Sequence, residues 1–163
     1  RGILPMAEVN QNENKVMDDL SSQFLTFYID DAIYGIPLAD VIEIINIQNI
    51  TTIPNVPAYI KGITNLRGKV VPVLDVHLKM NKMETEYNDK TCIIVVDIHE
   101  MQIGLVVDSV SEVITLTKEQ MAAPPKNDEY GYSQFLDSIV EMNGKIILNI
   151  DFDKFFKNDL SEI

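Results

Sequence analysis

YGIPLADVIEII (34–45) and IGLVVDSVSEVI (103–114) decide the architecture, because one overlies the other. With Gly35 set on Gly104, Val41 meets Val110, Glu43 meets Glu112 and Ile45 meets Ile114. The preceding segments superpose as well, LTFYID (25–30) on IVVDIH (94–99). Further along, with Gly68 set on Gly144, RGKVVPVLD (67–75) lies over NGKIILNID (143–151). Two blocks in the same order in both halves argue for an internal duplication over chance matching of β-rich segments. The offset grows from 69 to 76 residues between the blocks, so the second copy needs a longer loop, expected around Ala122 to Gly131 with its Pro124-Pro125.

The repeated segments read as strands. In QFLTFYI (23–29), Leu25, Phe27 and Ile29 share one face and Thr26 and Tyr28 the other. Asp30-Asp31 turns the chain into IYGIPL, and MQIGLVVD (101–108) repeats the alternation. Val41 to Ile44 and Lys69 to Val76 are further β-branched runs. Helical spacing is confined to the end of the chain, where Phe152, Phe155, Phe156 and Leu160 follow a possible Asp151 cap. Pro37–Asp40 and Pro57–Ile60 are each suited to a single helical turn. A repeat of this size holds four or five short strands, which fits a small closed barrel without exposed edges. Two barrels side by side would leave a groove for a partner helix.

Composition narrows the function. The 163 residues carry a net charge of −12, the opposite of what a phosphate backbone or an anionic membrane surface attracts. No apolar run reaches the roughly 20 residues of a membrane span. The single cysteine, Cys92, has no intrachain partner and reads as a small buried hydrophobe in a reducing compartment. Residues 1–22 read as a loose polar tail, with 1–5 a cloning remnant and Met6 the natural start. There is no phosphate-binding, dinucleotide-binding, zinc-protease or nucleophile-elbow motif. The two histidines, His77 and His99, lie outside any spaced metal cluster. Asp75 and His77 would share a face if the strand continued through them, and Asp97 and Asp108 read as turn or strand-end residues. No enzyme activity, cofactor or metal is expected.

GITNLRGKVVPVLDV (62–76) resembles the signature of the CheW family of chemotaxis coupling proteins. YGIPLADVIEII, IPNVPAYIKG (53–62) and IGLVVDSVSEVITLTKEQM (103–121) resemble that family in order and spacing, so the likeness spans about residues 23–158. It implies an all-β fold of two SH3-like, five-stranded barrels related by a pseudo-twofold axis, with short helical turns and a C-terminal helix. The two subdomains, with boundaries that can interweave, would make one domain over 23–160. It further implies a cytoplasmic adaptor, monomeric alone, recruited to membrane-associated arrays through the CheA regulatory domain and the chemoreceptor hairpin tip. Neither nucleic acid nor membrane insertion is expected. A coupling domain of a different chemosensory pathway or a CheV-type protein is the alternative, with the stand-alone coupler expected over a fusion to a receiver domain.

The residues under that likeness can be weighed individually. Arg67 is one of two arginines, and a guanidinium forks two hydrogen bonds where an ammonium does so less well. It either pairs internally with a carboxylate such as Glu43, meets a partner, or does both. Gly62 and Gly68 suit positive φ or close approach of a partner backbone, and Gly104 interrupts an alternating strand. If Ile42 and Ile44 fill the barrel, Val41 and Glu43 point outward. The resemblance implies a receptor site of Val41, Glu43, Gly62, Arg67, Gly68, Gly104, Val110 and Val113. For the kinase it implies one barrel's loops and strand edges, for which Ile50, Val70 and Pro72 are the candidates. Tyr130, Tyr132 and Phe135 are expected to pack within the second copy's long loop.

Overall fold

Runs of β-branched and aromatic residues set the strands, and two-residue turns with positive φ close them into hairpins. In the computed structural model, residues 22–125 and 134–157 are described. The first repeat forms β1 (Gln23–Ile29), β2 (Ala32–Pro37), β3 (Val41–Asn46), β4 (Ile60–Leu66) and β5 (Lys69–Asp75), then the helical turn α1 (Val76–Lys79). The second forms β6 (Cys92–Ile98), β7 (Met101–Val107), β8 (Ser109–Thr115), β9 (Met121–Ala122), β10 (Leu136–Met142), β11 (Lys145–Ile150) and α2 (Phe152–Phe155). Thr51 is the counterpart of β9, bridging to Ile63 as Ala122 pairs with Ile139. The extra length of the second copy lies mainly between β9 and β10. The β4–β5 turn (Arg67 φ 54°, Gly68 φ 82°) matches the β10–β11 turn (Asn143 φ 53°, Gly144 φ 77°), both in the left-handed geometry that follows strand twist.

The repeats do not each close their own barrel. The six-stranded sheet runs β8-β1-β2-β11-β10-β9 and the five-stranded sheet β3-β6-β7-β5-β4. The opening hairpin of each repeat is therefore clasped by the third strand and closing hairpin of the other. The joints are parallel, β2 on β11 and β5 on β7, whereas every other pairing is antiparallel. The chain crosses between sheets at the Leu38–Asp40 turn and again at Asp108.

Three apolar clusters follow from this exchange. Phe24, Ile114, Leu116, Val140 and Ile147 fill the six-stranded subdomain. Val73, Ile93, Val95 and Val106 fill the five-stranded one. The largest cluster joins Phe27, Ile29 and Ile36 of one sheet to Leu74, Ile94 and Leu105 of the other, with Phe152, Phe155 and Phe156 packed in. The interior space between the subdomains, where a groove was expected, is thus occupied by shared core.

Local chemistry explains the ends of β5 and β11. Asp75 and Asp151 cap the two helical turns with their carboxylates, so the strand expected over Lys69–Val76 stops at Asp75. Asp75 and His77 are consequently not a same-face strand pair. Asp75 is buried and also accepts a hydrogen bond from Tyr87 Oη at 2.7 Å, which ties the inter-repeat linker to β5. Burial, then the bond to Asp75, raises the Tyr87 pKa well above its usual range. Pro37 leads into a 3-10 turn as the spacing predicts, but Pro57–Ile60 is only a hydrogen-bonded turn. Phe135 packs edge-on against Phe155, while Tyr130, Tyr132, Leu160 and residues 1–21 lie outside the described residues.

Two glycine substitutions separate conformational strain from a steric clash. An added Cβ at Gly62 (φ 143°) would run into the Thr51 carbonyl, whereas one at Gly68 meets nothing within 4 Å. Gly62→Ala is expected to cost roughly 3 kcal/mol or more, and Gly68→Ala about 1–2 kcal/mol, in denaturant melts of the two variants. Tyr87→Phe should cost roughly 1.5–3 kcal/mol, since a buried carboxylate loses a donor, read in the same melts.

Candidate functional site

β3 is an edge strand of the five-stranded sheet, and a register shift against β6 falls between Val41 and Glu43. Val41 packs against the shared core and Ile45 against the core of its own subdomain, so this face of β3 turns inward. Ile42 and Ile44 are each 43% exposed, which reverses the expectation that they fill the barrel. Alternation was legible, but the choice of inward face was not, because both faces carry branched apolar residues. Glu43 lies on the inward-facing set and is only partly exposed. Its carboxylate meets Arg67 Nη2 at 2.9 Å.

Arg67 projects from the β4–β5 turn with its side chain 82% exposed, held at one end by Glu43. Gly68 N–H donates to Asn65 Oδ1 at 2.9 Å, which tightens the turn under it. The internal pairing and an outward-facing guanidinium therefore coexist. Arg67 carries a left-handed backbone that disfavours a long side chain, at a position where the second repeat has Asn143.

Other candidates separate into framework and surface. Gly62 is approached closely by the backbone of Thr51, which occupies the space a partner backbone would need. Gly104 is buried, with Ile93 Cγ2 2.8 Å from where its Cβ would lie, so it too serves internal packing. Val110 rests half-buried against the shared core, as does its counterpart Val41, and Val113 on the edge strand β8 is exposed. Val113 and Val110 belong to the six-stranded sheet, whereas the other receptor candidates lie in the five-stranded subdomain. Of the kinase candidates, Ile50 packs against the five-stranded subdomain's core, Pro72 is half-buried and Val70 is exposed. Val70 lines an open cleft of about 640 Å³ with Gln48, Asn49, Thr51 and Thr64.

The histidines face carboxylates. His99 meets Asp153 at 2.9 Å beside an acidic cleft that includes Asp40 and Asp97. Burial, with Asp97 adding to it, holds the Asp40 carboxyl above its usual range, against an opposing pull from His99. His77 meets Asp108 at 2.6 Å and Asp30 at 3.7 Å, a grouping invisible to spacing because its members lie in three distant segments. Among the described residues no helix is long and apolar enough to cross a membrane.

Comparison with known proteins matches this architecture. The family model of the CheW-like domain covers residues 23–160. The chemotaxis protein CheW of Klebsiella aerogenes is 31% identical over 87% of this chain and 86% of its own. That of Bacillus subtilis is 28% identical over 86% of this chain and 90% of its own. The crystal structure of the scaffolding protein TtCheW from Thermoanaerobacter tengcongensis superposes with a TM-score of 0.80 at 30% identity, covering 88% of this chain and 97% of that one. With two interlocked β subdomains and a family match from the first strand past the last helical turn, the chain belongs to the CheW-like family.

Proposed function

We propose that this chain is a non-catalytic chemotaxis adaptor that couples the histidine kinase CheA to chemoreceptors, binding both at once in a cytoplasmic, receptor-associated array. The observation that carries the reading is Arg67. It combines a left-handed backbone, disfavoured for a non-glycine residue, with a side chain that is 82% exposed and whose direction Glu43 fixes. A side chain kept in a disfavoured backbone geometry at the surface is best accounted for by an external contact. The guanidinium retains donors beyond its bond to Glu43 and can fork to a carboxylate or carbonyls on a receptor helix.

Val41, Glu43, Arg67 and Val113 form the proposed receptor-contacting set, with Gly62, Gly68, Gly104 and Val110 shaping the frame beneath. Exposed Val70, with Pro72, is the proposed kinase contact on the same subdomain, and Ile50 supports it from behind. Ile42 and Ile44 add exposed apolar surface beside Glu43 that either partner could bury. Coupling then needs no chemistry: receptor state changes the geometry or populations in which the kinase is held, and linked weak contacts give avidity.

Arg67→Asn separates function from fold. It removes an exposed ion pair worth about 0–1 kcal/mol and relieves a left-handed non-glycine residue of similar cost, so the melt should be unchanged or slightly higher. Calorimetric titration into a receptor hairpin-tip fragment should weaken about tenfold or more, the loss of one charge-assisted contact. Titration into the CheA regulatory domain should be unaltered. Equal loss toward both partners would remove the separate receptor site, and no binding by the folded parent chain would sink the adaptor reading.

A further inference from the structure

The second crossing between the sheets carries a grouping that the adaptor reading does not use. His77 projects from α1, with its side chain 4% exposed, and its Nε2 faces two carboxylates. Asp108 comes from the point where the chain leaves β7, and Asp30 from the β1–β2 turn of the other sheet. One ligand atom of each lies within 4.8 Å of the other two.

Each carboxylate presents one oxygen to His77 and engages a second group with the other. Asp108 Oδ1 is 2.6 Å from Nε2, while its Oδ2 accepts the Asp30 backbone N–H at 2.6 Å. Asp30 Oδ1 is 3.7 Å from Nε2, while its Oδ2 lies 3.7 Å from Lys82 Nζ. That is the arrangement of monodentate ligands oriented by outer partners. Donors around a tetrahedral zinc, at about 2.0–2.2 Å from the metal, stand about 3.4 Å apart; the 3.7 Å between His77 and Asp30 is close to that, and Asp108 must open from its 2.6 Å hydrogen bond to His77 to admit the ion. Two carboxylates neutralise a divalent charge. Asp30 and Asp108 are partly exposed, so water can complete the shell.

We propose that Asp30, His77 and Asp108 bind one divalent transition-metal ion of the zinc class. Imidazole with carboxylates favours such an ion over magnesium or calcium, which take oxygen donors. His77 Nδ1 has no partner among the described residues. With a metal on Nε2 the ring proton sits on that buried, unpartnered nitrogen, which lowers the affinity below that of a structural zinc site whose histidines donate to an outer partner. At the pseudo-equivalent place His99 and Asp153 are the counterparts of Asp30 and His77, and Ala39 stands where the offset of the duplicated segment puts Asp108. The metal would pin the β1–β2 turn of one subdomain to α1 and β7 of the other.

The test uses untagged, chelator-treated protein titrated with zinc chloride in a calorimeter, with melting curves alongside. One equivalent should bind, and the melting temperature should rise by roughly 5 °C or more at a hundredfold excess over Kd, with no rise in magnesium chloride. Asp30→Asn, a turn residue whose left-handed backbone asparagine tolerates, should weaken binding tenfold or more, and His99→Gln should leave it unchanged. Absence of zinc binding, zinc binding untouched by Asp30→Asn combined with Asp108→Asn, or loss of binding in His99→Gln would each overturn the site.

Discussion

Neither repeat can bury its apolar strand faces alone, because its opening hairpin lies in one sheet and its closing hairpin in the other. The parallel joints of β2 with β11 and of β5 with β7 enforce this exchange, since each requires strands far apart in sequence to meet. Once they meet, the faces of both sheets close on one cluster that runs from Phe27 to Phe156. The helical turns are drawn into the same cluster, with Val76 and Phe152 buried directly after their capping aspartates. A subdomain boundary cut anywhere in the chain would divide that core, so the subdomains are units of geometry rather than of folding.

Duplication also exposes what has diverged. In the five-stranded subdomain, Gly62 allows Thr51 to approach β4 and Val73 helps fill an apolar core. At the corresponding places the other subdomain has Ser138 and Asn149, whose buried side chains hydrogen-bond at 3.0 Å. Asn149 Oδ1 keeps no partner among the described residues and sits against Gly35, the counterpart of Gly104. The framework tolerates either solution because the backbone pairings are the same. Thr26 does comparable work at a register shift, where its hydroxyl donates to the Glu112 carbonyl and accepts from the Glu112 N–H. The turns diverge in the opposite sense: Asn143-Gly144 suits its backbone, and Arg67-Gly68 does not.

Much of this was legible in the sequence for a physical reason. Repeats that preserve strand pairings preserve spacing, and LTFYID over IVVDIH is recovered as β1 over β6. The ion pair of Arg67 with Glu43 was legible as one of the alternatives, because one of only two arginines in a lysine-using chain suggests a need for forked geometry such as a carboxylate meets. Three things were not. The exchange of hairpins between sheets leaves no mark in a strand's own residues. The face of β3 depends on a register shift against β6, which no pattern within VIEIIN encodes. Asp75 as a helix cap was masked by the β-branched run before it, although Asp151, its counterpart, reads openly as a cap before three phenylalanines.

Edge strands carry the remaining tension. β3 and β8 end their sheets, and unpaired edges with branched apolar side chains invite pairing with other chains. On β3, Glu43 and the guanidinium of Arg67 place a charged pair on the opposite face from Ile42 and Ile44, which opposes indiscriminate edge-to-edge association while leaving the isoleucines available. On β8, Glu112 and Val113 repeat the mixture without an arginine opposite, because Asn143 stands in its place. A surface of this kind selects partners by matching charge as well as apolar contour. The two edges share their backbone plan through duplication, and the charged pair of the first has no counterpart on the second, because Asn143 stands where the first repeat has Arg67.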